Sequence, residues 1–224
     1  MHFRHEIKHV ISQSDFYAVK QSMSGIALTD PHAGLDGTYL IRSLYFDNVY
    51  NTALNEKRDG IAQRDKFRIR YYNGDLGFIV LEKKSKTDAF TSKLSEPITL
   101  SEVERLLNGD YEWLNKSEKP LFKELYGQMT LKLLRPRCIV EYTRIPFIYA
   151  PGNVRVTLDY DIRTGLSSLD FLNPASVTVP AGNGEIILEV KWDEYLPDII
   201  RHAVQLKDTR AGSFSKYENA RFFI

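Results

Sequence analysis

The sequence has one cysteine, no long apolar run and almost no net charge, and each shortage removes a class of protein. Cys138, alone among 224 residues, cannot close an internal disulfide or build a thiolate metal site. No stretch approaches the ~20 apolar residues that a membrane-spanning helix needs. The opening MHFRHEIKHV is charged and lacks an apolar centre, so it does not read as a secretory signal, and cytoplasm is the simplest address. Lys and Arg number 30 against 29 Asp and Glu, a net charge of +1. A protein whose main ligand is a nucleic acid carries a basic excess over its whole domain, and that excess is missing. There is no internal repeat, low-complexity tract or Pro/Gly-rich linker, so residues 1–224 read as a single domain with room for a full core.

What is present is alternation. Residues 3–11, 38–47, 64–73, 76–86, 90–97, 136–147, 153–161 and 184–192 read as strands. Helical patterns occupy 14–24, 48–58, 101–108, 118–133 and 194–206, with a last element from 213. Asn73-Gly74-Asp75 is a hairpin turn signal. Ser101, with Glu104 three residues on, reads as a capping box, and a Ser or Asp cap opens the helix at 14. The pattern predicts an antiparallel-rich α+β domain.

Successive strand side chains point to opposite faces. Arg4, Glu6 and Lys8 therefore oppose Phe3, His5 and Ile7, and Arg64, Lys66, Arg68 and Arg70 oppose Phe67, Ile69 and Tyr71. Val80, Glu82, Lys84 and Lys86 oppose Ile79 and Leu81. Arg155, Thr157, Asp159 and Asp161 oppose Val154, Val156 and Leu158, while Glu185, Ile187, Glu189 and Lys191 oppose Ile186, Leu188, Val190 and Trp192. In one strand such a face is merely the wet side of a half-buried sheet. Here five strands combine bases with acids two positions away, as in Glu6/Lys8, Glu82/Lys84 and Glu189/Lys191. A sheet closing with these faces inward makes an antiparallel β-barrel with a charged lumen and helices packed outside. Unpaired buried charge is costly, so such a lumen calls for acid–base pairing and a bound polyanion. Arg and Lys suit phosphate oxygens, and the interspersed carboxylates suit a hard divalent cation that bridges phosphates.

The segments FRHEIKH (3–9), SLYFDN (43–48), KFRIRYYN (66–73), LEKKSK (81–86), RPRCIVEYTRIPF (135–147), VRVTLDYDI (154–162), LEVKW (188–192) and SFSKY (213–217) follow one another in an order known from one group. In that ordered set the chain resembles the triphosphate tunnel metalloenzymes (CYTH-like), and within them the VTC-type domain, the polymerase module of a membrane-attached polyphosphate-synthesising complex. The resemblance implies an eight-stranded antiparallel tunnel that holds a phosphate chain along its axis. It implies ATP or another triphosphate and inorganic polyphosphate as ligands, with Mn²⁺ or Mg²⁺. Carried over by position, Lys8, Arg68, Arg70, Lys84, Arg144 and Lys191 contact the reacting phosphates, and Arg155, Ser215 and Lys216 add to the lining. Glu189 is the leading metal ligand, with Glu6 and Glu82 beside it. Strand parity sets Arg144 with Val140 and Tyr142, apart from Arg137 and Glu141.

The implied activity is transfer of the γ-phosphoryl group of ATP to a growing polyphosphate chain. A triphosphate hydrolase, or a module that binds polyphosphate or nucleotide without turnover, uses the same lining. The polymerase it resembles works at a membrane, so a separate membrane partner is the corresponding expectation for a chain with no spanning segment of its own. His2, His5 and His9 read as surface or packing residues, Cys138 as a buried structural thiol, and Trp113 and Trp192 as packing aromatics. The mixed charges from Glu102 to Lys123 read as a solvated helical face.

Overall fold

The architecture comes from a computed structural model that describes residues 4–87, 90–206 and 211–221; His2 and Phe3 fall outside these. The first strand is β1 (His5–Ile11), followed by helix α1 (Gln13–Ile26), a two-residue strand β2 (Leu28–Thr29), β3 (Tyr39–Asp47) and α2 (Thr52–Arg58). Then come β4 (Gln63–Tyr72), β5 (Ile79–Thr87), β6 (Phe90–Ile98), and helices α3 (Leu100–Leu107), α4 (Trp113–Lys116) and α5 (Pro120–Leu131). The chain continues through β7 (Arg135–Tyr149), β8 (Val154–Thr164), β9 (Val179–Pro180), β10 (Ile186–Trp192), α6 (Asp198–Ala203) and α7 (Lys216–Ala220). Eight strands are hydrogen-bonded in the order β1-β10-β8-β7-β3-β4-β5-β6, while β2 pairs with β7 and β9 with β8. The class is α+β, built on antiparallel strands with helices packed on their apolar faces.

The chain divides into two compact units, each drawing on separated stretches of sequence. The first comprises residues 1–40, 142–163 and 180–216. Its core packs Phe16, Val19 and Met23 of α1 against Ile145 and Phe147 of β7, Val154, Val156 and Leu158 of β8, and Leu188 and Val190 of β10. The spacing of the three α1 residues places them along one helical stripe. Ser12 caps α1, its hydroxyl accepting from the Asp15 amide while the Asp15 carboxylate accepts from the Ser12 amide. Deleting a side chain as buried as Met23 costs about 2–5 kcal/mol.

The second unit comprises residues 41–141, 164–179 and 217–224. Val103 and Leu106 of α3 and Leu121, Phe122, Leu125 and Met129 of α5 cover Leu44, Phe46, Phe67, Ile69 and Leu81. The connection from β4 to β5 opens with a β-turn at Asn73 and Gly74, whose φ values of 52° and 73° are both left-handed, and β5 begins only at Ile79, three residues later than the alternation suggests. Asp75 N closes the turn on the Tyr72 carbonyl at 2.8 Å.

Three other features depart from the sequence reading, and Glu141 adds a contact that parity alone could not show. The capping box of α3 is Thr99 with Glu102, two residues before Ser101 and Glu104. Both spacings fit the motif, and the earlier one turns Val103 and Leu106 onto the core. Asp161 does not continue the Arg155–Thr157–Asp159 face, because its φ of 47° breaks the alternation and leaves it exposed beside Arg163. Glu141 lies on the apolar face, buried, its carboxylate 3.1 Å from Nε of the fully buried Arg42. Arg42 also donates to the Tyr71 hydroxyl at 3.3 Å and to Ser176 Oγ at 2.9 Å, which gives both terminal nitrogens of this charge partners inside a hydrophobic layer. The strands β2 and β9 have two residues each, too few to show a period.

Candidate functional site

In the first unit the charged faces of β1, β10 and β8 meet row by row. Lys8 is opposite Glu189, and Glu189 is opposite Thr157; Glu6 is opposite Lys191, and Lys191 is opposite Arg155. Directly opposed residues share a face, so these rows make one charged surface. Lys8 Nζ lies 3.0 Å from Glu189 and also bonds Glu6. Lys191 Nζ lies 2.7 Å from Glu189 and 3.4 Å from Glu6. Two carboxylates and two ammonium groups thus form a closed ring of alternating charge.

Next to it, Arg144 grips Asp159 with two parallel bonds of 2.6 and 2.7 Å, and its Nη2 is 3.9 Å from Glu189. Lys216, at the start of α7, donates to the same Asp159 at 2.6 Å. Both cations lie over the ring of Tyr142, at 5.5 Å for Arg144 and 4.5 Å for Lys216. Parity therefore holds without a bulge: even residues of β7 from Tyr142 to Arg144 face the charges, while Ile145 and Phe147 face the core. Arg155 donates to Asp30 at 3.0 Å and to the Tyr39 hydroxyl at 2.8 Å, and Tyr39 in turn donates to Asp30 at 2.8 Å. Ser215 is half-buried immediately before α7.

Burial pushes the Asp159 and Glu189 carboxyls up, and the neighbouring cations more than reverse it. Arg144 and Lys216 hold Asp159 at about 2, while Lys191, Lys8 and Arg144 hold Glu189 well below the usual carboxylate range. Lys8 responds in kind: burial works against its charge, but Glu189 and Glu6 raise it above an ordinary lysine. Asp159, Glu189 and Lys8 are each driven towards their charged forms.

The second unit carries a different balance. Arg68 Nε donates to Glu82 at 2.6 Å and its Nη1 to the Tyr45 hydroxyl at 2.8 Å, while Arg70 donates to Ser43 Oγ at 2.9 Å. Glu82 is buried, with Arg68, Arg70 and Lys93 around it. Burial pushes its carboxyl up, and these three cations bring it down to about 2. Beyond Glu82 the rows lose their acids. Lys66 is opposite Lys84, which is opposite Lys93; Arg64 is opposite Lys86, which is opposite Thr91. On the rows that join β4, β5 and β6, Arg64, Lys66, Arg68, Arg70, Lys84, Lys86 and Lys93 share one face with a single carboxylate, Glu82. Like charges placed directly opposite destabilise a sheet. Burial moreover lowers the Lys66 ammonium to about 8.

Lys8, Glu6, Glu189, Lys191, Arg144, Arg155, Ser215 and Lys216 therefore fall in the first unit, and Arg68, Arg70, Glu82 and Lys84 in the second. Asp159 and Tyr142 were not singled out in the sequence, although Asp159 sat on a charged face and Tyr142 shared parity with Arg144. Lys66 and Lys93 were missed as well; the alternation placed Lys66 in the right set, and only the register reveals the row it makes.

Among the described residues no three acidic, histidine or cysteine side chains gather where they could hold a metal. The donors that fit a divalent cation best are Glu6 and Glu189, two oxygen ligands joined to the same two lysines. A small hard cation is commonly held by one or two carboxylates with substrate phosphates completing its shell. Glu82 fits less well, since among the described residues no second carboxylate shares the β4–β5–β6 rows of its face. No helix among the described residues is long and apolar enough to cross a membrane.

Comparison with known proteins bears on the fold and the family. A candidate adenylate cyclase from Bacillus halodurans superposes with a TM-score of 0.54 at 14% identity, covering 90% of this chain and 84% of that one. A protein from Pyrococcus horikoshii OT3 gives 0.45 at 14% identity, with 90% and 84% covered. A candidate adenylate cyclase from Vibrio parahaemolyticus gives 0.45 at 13%, with 91% and 83% covered. At these identities the first superposition shows a shared fold. No curated protein sequence matches the chain. The family model that does match describes the VTC domain and spans residues 3–223, so the chain belongs to the VTC domain family.

Proposed function

We propose that this chain is a polyphosphate polymerase, moving the γ-phosphoryl group of ATP onto the end of an inorganic polyphosphate chain. The observation that carries the reading is the basic face of the second unit, where seven cations share register rows with one carboxylate. From Arg70 to Arg64 this face runs six residues along β4, about 20 Å at ~3.3 Å per residue. That is about twice the length of a triphosphate. A hydrolase of short triphosphates has no need of so long a track, whereas a growing chain does.

In the reaction the terminal oxygen of the chain forms the new bond to the γ-phosphorus. The bond from that phosphorus to the β–γ bridging oxygen breaks, and ADP leaves with the electron pair. The attacking oxygen is already anionic at neutral pH, so no general base is required. The protein's share is positioning and charge neutralisation. Arg68 and Arg70 are held in place by Tyr45, Ser43 and Glu82, which fixes the direction of their positive charge on this face. Lys8, Lys191, Arg144, Arg155 and Lys216 supply positive charge in the first unit, with Asp159 holding Arg144 and Lys216 in fixed directions. Glu6 and Glu189 would hold Mn²⁺ or Mg²⁺, which when bound neutralises phosphate oxygens.

The test is incubation with ATP and Mn²⁺ or Mg²⁺, resolving long-chain polyphosphate, ADP, free phosphate and cyclic nucleotide, with Glu189→Ala and Arg68→Ala alongside. Polyphosphate with matching ADP, lost in both variants, supports the polymerase. Free phosphate without chains makes the protein a hydrolase. Cyclic AMP with pyrophosphate gives it the activity for which the Bacillus halodurans protein is named. Tight binding of polyphosphate with no turnover leaves a receptor and sinks the catalytic reading.

A further inference from the structure

Thr157 stands in the middle of the charged surface of the first unit and has no role in the chemistry above. On β8 it lies between Arg155 and Asp159, and its register partner is Glu189. It is 1% exposed, yet among the described residues its hydroxyl oxygen has no hydrogen-bond partner. Two residues away on the same strand face, Arg155 Nε is also buried and, among the described residues, lacks an acceptor. The acids nearby are engaged elsewhere: Glu189 with Lys8 and Lys191, Asp159 with Arg144 and Lys216.

A buried hydroxyl without a partner costs a fold about 1–3 kcal/mol, and valine has nearly the same shape without the polar atom. The ligand-free protein therefore gains nothing from threonine here. Beside it on the face are Arg155 and the carboxylates Asp159 and Glu189, which gather Lys8, Lys191, Arg144 and Lys216 around this surface. What those cations attract is an anion, which brings oxygen lone pairs. A β-branched side chain on a strand is stiff about χ1, so the hydroxyl is presented in a narrow direction. It can recognise a phosphate oxygen by geometry where the surrounding charges recognise only sign.

We propose that Thr157 is a binding residue for the phosphate chain, its hydroxyl donating to a non-bridging phosphate oxygen beside Arg155 Nε. This rests on the phosphate-binding reading of the same surface. It separates from a structural role because the two make opposite demands of valine. Thr157→Val should melt about 2–4 °C above the parent without ligand, as expected when ~1 kcal/mol of burial cost is relieved in a chain of this size. Titrated calorimetrically with tripolyphosphate, it should bind about 5–10-fold more weakly, and Thr157→Ser should stay within about twofold of the parent. Thr157→Ala repeats the titration with a side chain that cannot overpack. Unchanged or tighter binding by the valine and alanine variants overturns the inference while leaving the phosphate reading intact. A parent protein that binds no tripolyphosphate overturns both.

Discussion

Raising the pH from about 7 to 9 should weaken phosphate binding by roughly tenfold through one side chain, Lys66. In the ligand-free protein burial lowers its ammonium to about 8, with Lys57 and Arg64 adding repulsion and Tyr45 and Glu218 opposing it. Lys84 is directly opposite, and the ring of Tyr217 lies 5.8 Å beneath the ammonium. A polyanion on this face favours the charged form and draws the pKa back towards its ordinary 10.5. The bound pKa then exceeds the free one, so binding takes up a proton. Affinity is full below about 8 and falls as pH rises through it, by ~10-fold per pH unit until the bound form also titrates. Near the midpoint about half a proton should enter per ligand bound. Calorimetry of tripolyphosphate binding in buffers of different ionisation enthalpy measures that uptake. Phosphate's own protonation is common to all variants, so the difference between parent and Lys66→Met isolates the lysine. Lys66→Arg keeps its charge throughout and should lose the pH dependence while keeping affinity. Equal proton uptake in all three proteins would refute the argument.

Glu189→Ala removes the carboxylate that pairs with Lys8 and Lys191, and leaving buried charge uncompensated should cost about 3–5 kcal/mol in a ligand-free melt. The same variant should bind tripolyphosphate more tightly than the parent and turn over nothing; weaker binding would show that Glu189 serves the anion through its own contacts. Asp159 and Glu82, each held at about 2, contribute stability that is complete above their unfolded values near 4 and is lost as pH falls towards 2. Each is worth ~2–3 kcal/mol, so an acid titration of Asp159→Asn should show a smaller loss than the parent between about pH 4 and 2. Glu141→Gln should lower stability by about 3–5 kcal/mol by stranding Arg42, yet leave tripolyphosphate affinity within about twofold; a large affinity loss would place that pair at the binding surface.

Strand parity carried most of the site. Arg68, Arg70 and Glu82 lie on the face that a period of two assigns, and so do Lys8, Glu189 and Lys191, because each strand has a dry side that must pack. Arg144 follows its own parity, and Glu141, one residue out of step with Val140 and Tyr142, lies on the opposite face. Parity failed where the backbone left the extended region, at Asp161, and where a motif fitted twice, at Thr99 and Ser101. It could not say which strands are neighbours. The row Lys66–Lys84–Lys93 and the ring of Glu6, Lys8, Glu189 and Lys191 exist only once registers are set, and register depends on contacts distant in sequence. Arg42 was hidden for another reason: a charged residue in an apolar layer is legible only through its partners, and Glu141, Ser176 and Asn173 are about a hundred residues or more away.

If the chain holds polyphosphate as proposed, the lysine row also makes its durability depend on that cargo. The register sets Lys66, Lys84 and Lys93 opposite one another, with Lys93 also paired to Glu82, so an anion on this face meets concentrated positive charge. A ligand that binds only the folded form adds ~2.7 kcal/mol of stability at a hundred times its dissociation constant. Resistance to heat or protease thus becomes a gauge of phosphate supply, and a molecule made when supply is short is the one most easily degraded.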